Sequence, residues 1–197
     1  LEAELIKLFS NAWRYINFSI SNEFYTICEK FGINFKDLRN NMIDGYDRNK
    51  SLPKAGFAAG PCLYKDTVQL NSFLKNSFSL GKVATKINQG FPNFIYLKMK
   101  KKFKNKLHSK KIGILGVAFK SDIDDTRDSL SIELYKLLKK KGLRVFISDE
   151  FVNIPDIIPK KKLIKKSDII VLGVPHSSYR KIKIPKKKFL IDSWGFF

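Results

Sequence analysis

Cys62 closes a run of small residues, Gly56-Phe57-Ala58-Ala59-Gly60-Pro61-Cys62, and Lys65 and Asp66 follow it closely. A thiolate is a far better nucleophile than a thiol, and a nearby cation or a helix N-terminus favours it. Covalent catalysis through sulfur needs such a setting. The glycines let a ligand approach the backbone closely. The same residues also suit a buried, inert cysteine in a turn. Cys28, the second of two cysteines, lies between Ile27 and Glu29 in a helical stretch and reads as a packing residue.

Two further constellations could bear chemistry. Lys7 and Asn11 are four residues apart, which on a helix places their Cβ atoms about 5–6 Å apart on one face. A cation beside an amide can hold an oxyanion or a water, or can simply be part of a polar helix face. The segment Phe119-Lys120-Ser121-Asp122-Ile123-Asp124-Asp125-Thr126-Arg127-Asp128-Ser129 follows an apolar run and precedes a helical pattern. Ligands of open α/β sheets bind at that end of a strand. Lys120 and Arg127 suit phosphate, and Asp128 or Ser129 can cap the helix. The aspartates are interleaved with cations and lack the glycine and terminal glutamate of a calcium loop, so no metal site is expected. His108 and His176 are isolated, and His176 reads as a surface-loop residue.

The elements that must position these residues change character along the chain. Apolar residues recur every three to four positions from Leu5 to Phe31, which predicts one long helix ended by Gly32. Helices are expected over 35–43, 66–74 and 81–103, with Pro92 near a helix start or a kink. The lysine runs are expected to be solvated. From Lys111 onward, apolar runs at 111–118, 143–148, 168–174 and 189–192 alternate with a helix at 129–141. Continuous apolar strands separated by helices predict a parallel sheet covered on both faces. The expected fold class is therefore α/β, a helical domain over 1–105 followed by a Rossmann-like domain over 106–197.

Composition narrows the function classes. The chain has 197 residues and no apolar run long enough to span a membrane. It starts in mid-pattern at Leu1, so an upstream portion is expected. Two cysteines in unlike contexts make no disulfide framework, which points to a reducing, cytoplasmic setting. The net charge of +20 comes from 38 Lys and Arg against 18 Asp and Glu. That permits a basic, non-catalytic polyanion or nucleic-acid-binding module. The lysines are scattered over several segments instead of one stripe, so nucleic acid is not the expected partner.

Three blocks in order resemble one family. Ala3-Glu4-Leu5-x-Lys7-Leu8-x-x-Asn11-Ala12 looks like the start of the central helix of UDP-glucose/GDP-mannose dehydrogenases. Gly60-x-Cys62-x-x-Lys65-Asp66-Thr67 resembles their cysteine loop. Ile114-Leu115-Gly116-x-Ala118-Phe119-Lys120-x-Asp122-x-Asp124-Asp125-Thr126-Arg127-Asp128-Ser129 resembles the opening of their C-terminal domain. The resemblance implies NAD-dependent oxidation of the C6 alcohol of a UDP- or GDP-sugar to the acid, through a thiohemiacetal and a thioester on Cys62. Lys7 and Asn11 would stabilise oxyanions, and Asp66 would orient or activate water. Lys65 and Arg127 would approach NAD. Phe57, Phe119 and Lys120 would contact the sugar nucleotide, Arg48 would reach the neighbouring subunit's substrate, and the long first helix would build a homodimer.

Some features depart from the family pattern. The loop from Phe57 to Cys62 is one residue longer than usual. The arginine expected near the last strand is absent from Asp192-Ser193-Trp194-Gly195, and the stretch after Asp149 is short. The N-terminal dinucleotide domain is not in this chain. Gly113-x-x-Gly116 is not a dinucleotide fingerprint. Residues 1–197 alone are therefore expected to be inactive.

Overall fold

The computed structural model describes residues 1–58 and 60–197. Ala59, within the predicted cysteine loop, lies outside the described residues. The chain forms two compact units, residues 1–90 with 193–195, and residues 91–192 with 196–197.

The first unit is helical. α1 spans Glu2–Phe31 and ends on Gly32, which takes the left-handed conformation. α2 spans Phe35–Ile43, and its N-cap Asn34 accepts a hydrogen bond from the Lys36 amide at 3.0 Å. α3 spans Pro61–Phe73 and so begins five residues before the expected start. The reason is local. Pro61 sits at the first helical position, where its fixed φ favours helix and its missing N–H costs nothing. α4 spans Ser79–Phe103 with Pro92 inside it. The helix runs through that proline, which is neither at its start nor at its end.

The inward face of α1 is largely polar and aromatic. Its buried residues are Ala12, Tyr15, Ser19, Ser21, Asn22, Tyr25 and Cys28. Ile20, Phe24, Ile27 and Phe31, which carry the helical period, are exposed. Buried polar groups need partners, and these have them. Asn22 Nδ2 donates to Asn88 Oδ1 at 2.9 Å, and Asn88 Nδ2 donates to the Tyr15 carbonyl at 3.0 Å. Asn22 Oδ1 also accepts from the Gly56 amide at 2.8 Å. Helical periodicity is present on α1, but specific hydrogen bonds decide which stripe turns inward.

The second unit is built on a parallel sheet. β1 (Lys111–Leu115), β2 (Arg144–Ser148), β3 (Ile169–Leu172) and β4 (Phe189–Ile191) lie in the order β2-β1-β3-β4. Ile114 pairs with Ile147 on one side and Val171 on the other, and the central strands are buried. α5 (Leu130–Lys140) buries Leu130, Leu134 and Leu138. Its N-cap Ser129 accepts from the Ile132 amide and donates to the Ala118 carbonyl, tying the helix start to the end of β1. α6 (Lys160–Lys166) folds where only a solvated lysine run was expected. A single apolar anchor holds it, because Leu163 is fully buried and closes over Gly113. Two adjacent apolar residues among lysines, Leu163 and Ile164, are too weak a periodic signal to read from sequence.

Candidate functional site

Two centres result, one in each unit. In the first, Gly60 is the N-cap of α3, and its φ of 111° lies in the glycine-favoured region. Cys62 then falls in the first turn of α3 and is exposed. The first amides of a helix have no intrahelical acceptor, and Cys62 is among the residues of that first turn. One turn further on, Asp66 is buried. Its Oδ2 accepts from Asn11 Nδ2 at 2.7 Å and lies 3.5 Å from Lys7 Nζ. The three polar groups singled out on α1 and α3 therefore converge on one carboxylate oxygen. Asn11 keeps a second amide hydrogen and Lys7 keeps its other ammonium hydrogens for a ligand. Lys65 is exposed on the same helix.

The segment leading to Cys62 is held from below. Ser21 Oγ donates to the Pro53 carbonyl at 2.7 Å, and Arg39 Nε donates to the carbonyls of Leu52 and Pro53 at 2.9 and 3.1 Å. Gly56 lies against Trp194, where a Cβ would come within 2.3 Å of the indole ring. Only glycine fits that contact. Phe57 turns its ring into the interior at 2% exposure, so at this position the loop offers a ligand its backbone. Arg48 is exposed on a short 3-10 turn, Asp47–Asn49.

The second centre lies at the C-terminal ends of β1, β2 and β3. Asp149 follows β2 directly and is 8% exposed. Its Oδ2 accepts from the amides of Val117 and Ala118 at 2.7 and 3.1 Å and from His176 Nε2 at 3.0 Å. Its Oδ1 accepts from the amides of Phe151 and Val152 at 2.9 and 3.3 Å. Burial by itself raises this carboxyl's pKa. The His176 hydrogen bond, the backbone amides and the attraction of the imidazole outweigh burial and hold it at about 2.

His176 is fully buried, against the surface-loop expectation. Its Nδ1 accepts from the Asp122 amide at 2.9 Å, which places the ring proton on Nε2, facing Asp149. Asp122 in turn accepts from the Ser177 amide at 2.9 Å. The Asp149–His176 pair thus clamps the loop that carries Phe119, which is half-buried, and Lys120, which is exposed. A carboxylate placed directly after an apolar strand, and a histidine four residues past the next one, were the available signals for this pair. Arg127 is exposed and binds Asp125 at 2.7 Å. Its guanidinium pulls the Asp125 carboxyl below the usual range, chiefly through their side-chain hydrogen bonds.

Two positions that a dinucleotide uses in such a sheet are occupied by the protein itself. A Cβ at Gly116 would meet the Val174 backbone at 2.7 Å, so the turn after β1 is already filled. The acidic residue after β2, which would take ribose hydroxyls in such a fold, is spent on amides and His176. Among the described residues no group of His, Cys, Asp and Glu could hold a metal ion, and no helix is long and apolar enough to cross a membrane.

Two family models match the chain. Residues 1–90 match the central domain of the UDP-glucose/GDP-mannose dehydrogenase family, and residues 113–197 match its UDP binding domain. The chain belongs to the UDP-glucose/GDP-mannose dehydrogenase family. It is 27% identical over 200 residues to a UDP-N-acetyl-D-mannosamine dehydrogenase of Pyrococcus horikoshii, covering 96% of this chain and 47% of that protein. It is 33% identical over 151 residues to a UDP-glucose 6-dehydrogenase of Rickettsia bellii, covering 73% of this chain and 34% of that protein. The solved structure of a UDP-D-ManNAc dehydrogenase from Pyrococcus horikoshii aligns with a TM-score of 0.84 at 25% identity, over 100% of this chain and 49% of that one. The chain therefore spans about half the length of the curated relatives it matches. Family and α/β fold both agree with the sequence reading.

Proposed function

We propose that this chain is the central and nucleotide-sugar-binding portion of an NAD-dependent dehydrogenase that oxidises the C6 alcohol of a UDP-sugar to the acid. The observation that carries the reading is the convergence of Lys7 and Asn11 on Asp66, one helical turn from the exposed Cys62. NAD supplies the hydride acceptor in this family, and the exposed residues Lys65 and Arg127 would approach it here.

The residues of this chain account for the sulfur chemistry. The Cys62 thiolate adds to the C6 aldehyde, and the carbonyl oxygen becomes an oxyanion. Lys7 and Asn11 place N–H donors where that charge develops. Loss of hydride from the thiohemiacetal leaves a thioester. Asp66 orients a water that attacks it, and the acid leaves as the thiolate returns. Phe119 and Lys120 contribute to holding the nucleotide sugar, and Arg48 reaches a neighbouring subunit's substrate.

The full-length protein, assayed with UDP-N-acetylmannosamine, UDP-glucose, GDP-mannose and NAD, is expected to form two NADH per sugar acid with a UDP-sugar. A stoichiometry of one NADH with aldehyde as the product would overturn the thioester route. Preference for GDP-mannose would overturn the choice of base.

The homodimer rests on α1. Ile6, Phe9, Trp13, Phe24 and Phe31 are exposed along it, Trp13 at 65% and Phe31 at 75%. An apolar stripe of that length on one helix is a docking face, and we assign it to a second copy of this chain. Sedimentation velocity is expected to give a dimer that Trp13→Glu converts to monomer. A native monomer, or a dimer that Trp13→Glu leaves intact, would remove the assignment.

A further inference from the structure

The second unit contains a cleft with no place in the chemistry above. It lies between α6 and the segment formed by the 3-10 turn Ser177–Lys181 and residues 182–188, and it encloses about 700 Å³. Ile164, Ile182 and Pro185 contribute its apolar surface, lysines surround it, and no carboxylate lines it.

Two of the lysines are already engaged. Lys160 Nζ pairs with Glu150 and lies over the Tyr179 ring at 5.7 Å. Lys188 Nζ donates to the backbone carbonyls of Lys165 and Ser167. Lys161, Lys165, Lys181, Lys183 and Lys187 have no ion pair among the described residues. Gathering five like charges around one concavity is unfavourable unless something of opposite charge enters. The wall also contains Ser178, whose Oγ is shielded from solvent and has no hydrogen-bond partner among the described residues. A shielded hydroxyl without a partner costs free energy that an anionic acceptor would recover.

We propose that this cleft is a binding site for a compact anion carrying several phosphate groups. Ammonium groups act as point charges that suit phosphate. The volume is that of a small-molecule site, whereas a nucleic-acid backbone would be tracked by a stripe of cations. Neither Cys62 nor any residue of 119–127 lines the cleft, so the proposal does not rest on the dehydrogenase reading.

The test uses the 197-residue chain with inorganic tripolyphosphate, followed by isothermal titration calorimetry at about 0.05 and 0.15 M salt. One ion per chain is expected, bound more weakly at the higher salt. Lys161→Glu/Lys181→Glu/Lys183→Glu is expected to weaken binding at least about tenfold. An equal charge reversal elsewhere, Lys75→Glu/Lys82→Glu/Lys86→Glu, should weaken it about twofold or less. Ser178→Ala should weaken it a few-fold.

A second measurement on the unmutated chain covers the case in which the charge-reversal variant fails to fold. Tripolyphosphate should protect Lys161, Lys181 and Lys183 from acetylation, read by mass spectrometry, and leave Lys82 and Lys86 reactive. Equal losses in the two triple variants, several ions per chain, or uniform protection would each overturn the site. A single-stranded oligonucleotide that binds more tightly than tripolyphosphate and is lost in the same cleft variant would overturn the choice of a compact anion.

Discussion

Cys62→Ala in the full-length protein is expected to lower sugar-acid formation by about 10³-fold or more, because the proposed route carries the aldehyde into its second oxidation on the Cys62 sulfur. Hydride cannot leave an aldehyde's C–H carbon until a nucleophile adds and gives that carbon a hydroxyl or oxyanion to push it out, and Cys62 is the exposed thiol of this chain. Cys28 provides the internal control. It is 5% exposed, and burial followed by the nearby Glu29 raises its thiol pKa, both of which oppose thiolate. Cys28→Ala should leave turnover within about twofold and cost on the order of 1 kcal/mol of stability. Mass spectrometry of quenched turnover mixtures provides the direct check, since the sugar adduct should map to Cys62. Acid formation by Cys62→Ala at a rate near the parent's would remove the covalent route.

The second large effect is expected at Asp149. Asparagine keeps the size of the side chain but must turn an amide nitrogen toward one of two sets of N–H donors. Asp149→Asn is therefore expected to cost about 3 kcal/mol, from weakened charge-assisted bonds and a buried donor facing donors.

The pH dependence has a definite sign. The folded carboxyl has a pKa of about 2, depressed below the ordinary carboxylate value near 4. Its stabilisation is complete above about pH 4 and is lost as pH falls through about 2. The linkage contributes on the order of 2 kcal/mol at neutral pH. Urea unfolding at pH 6, 4 and 2.5 should show the gap between parent and Asp149→Asn shrinking toward acid. A gap that stays constant over that range would mean that Asp149 acts by shape alone. Because Asp149 holds the amides of Val117 and Ala118, the variant should also weaken UDP-sugar binding through the displaced Phe119–Lys120 segment.

What could be read from the sequence follows the range of the interactions involved. The strands of the second unit were legible because each is a short, largely apolar run, and the central ones are buried whatever packs on them. α2 and α5 were legible because caps and periodic leucines are local signals. α3 was placed too late because one proline outweighed the loop character of its neighbours. α6 went unread because its single buried anchor, Leu163, gives no periodicity.

The candidate site divides along the same line. By itself the sequence determined the inventory: a thiol after small residues, a cation and an amide four residues apart, a carboxylate just past the thiol, and a cation-bearing loop after the first strand. These are statements of residue type and spacing, which need no fold to be true. Only the tertiary structure decided how they meet. Asn11 and Asp66 are 55 residues apart in sequence, yet their polar atoms are 2.7 Å apart. The clamp between Asp149 and His176 depends on parallel strands bringing two loop ends together. The inward face of α1 was settled by Asn22, Asn88 and Tyr15, not by its apolar stripe. Long-range hydrogen bonds join groups whose separation along the chain carries no pattern. A buried polar group must find its partner wherever the fold supplies one.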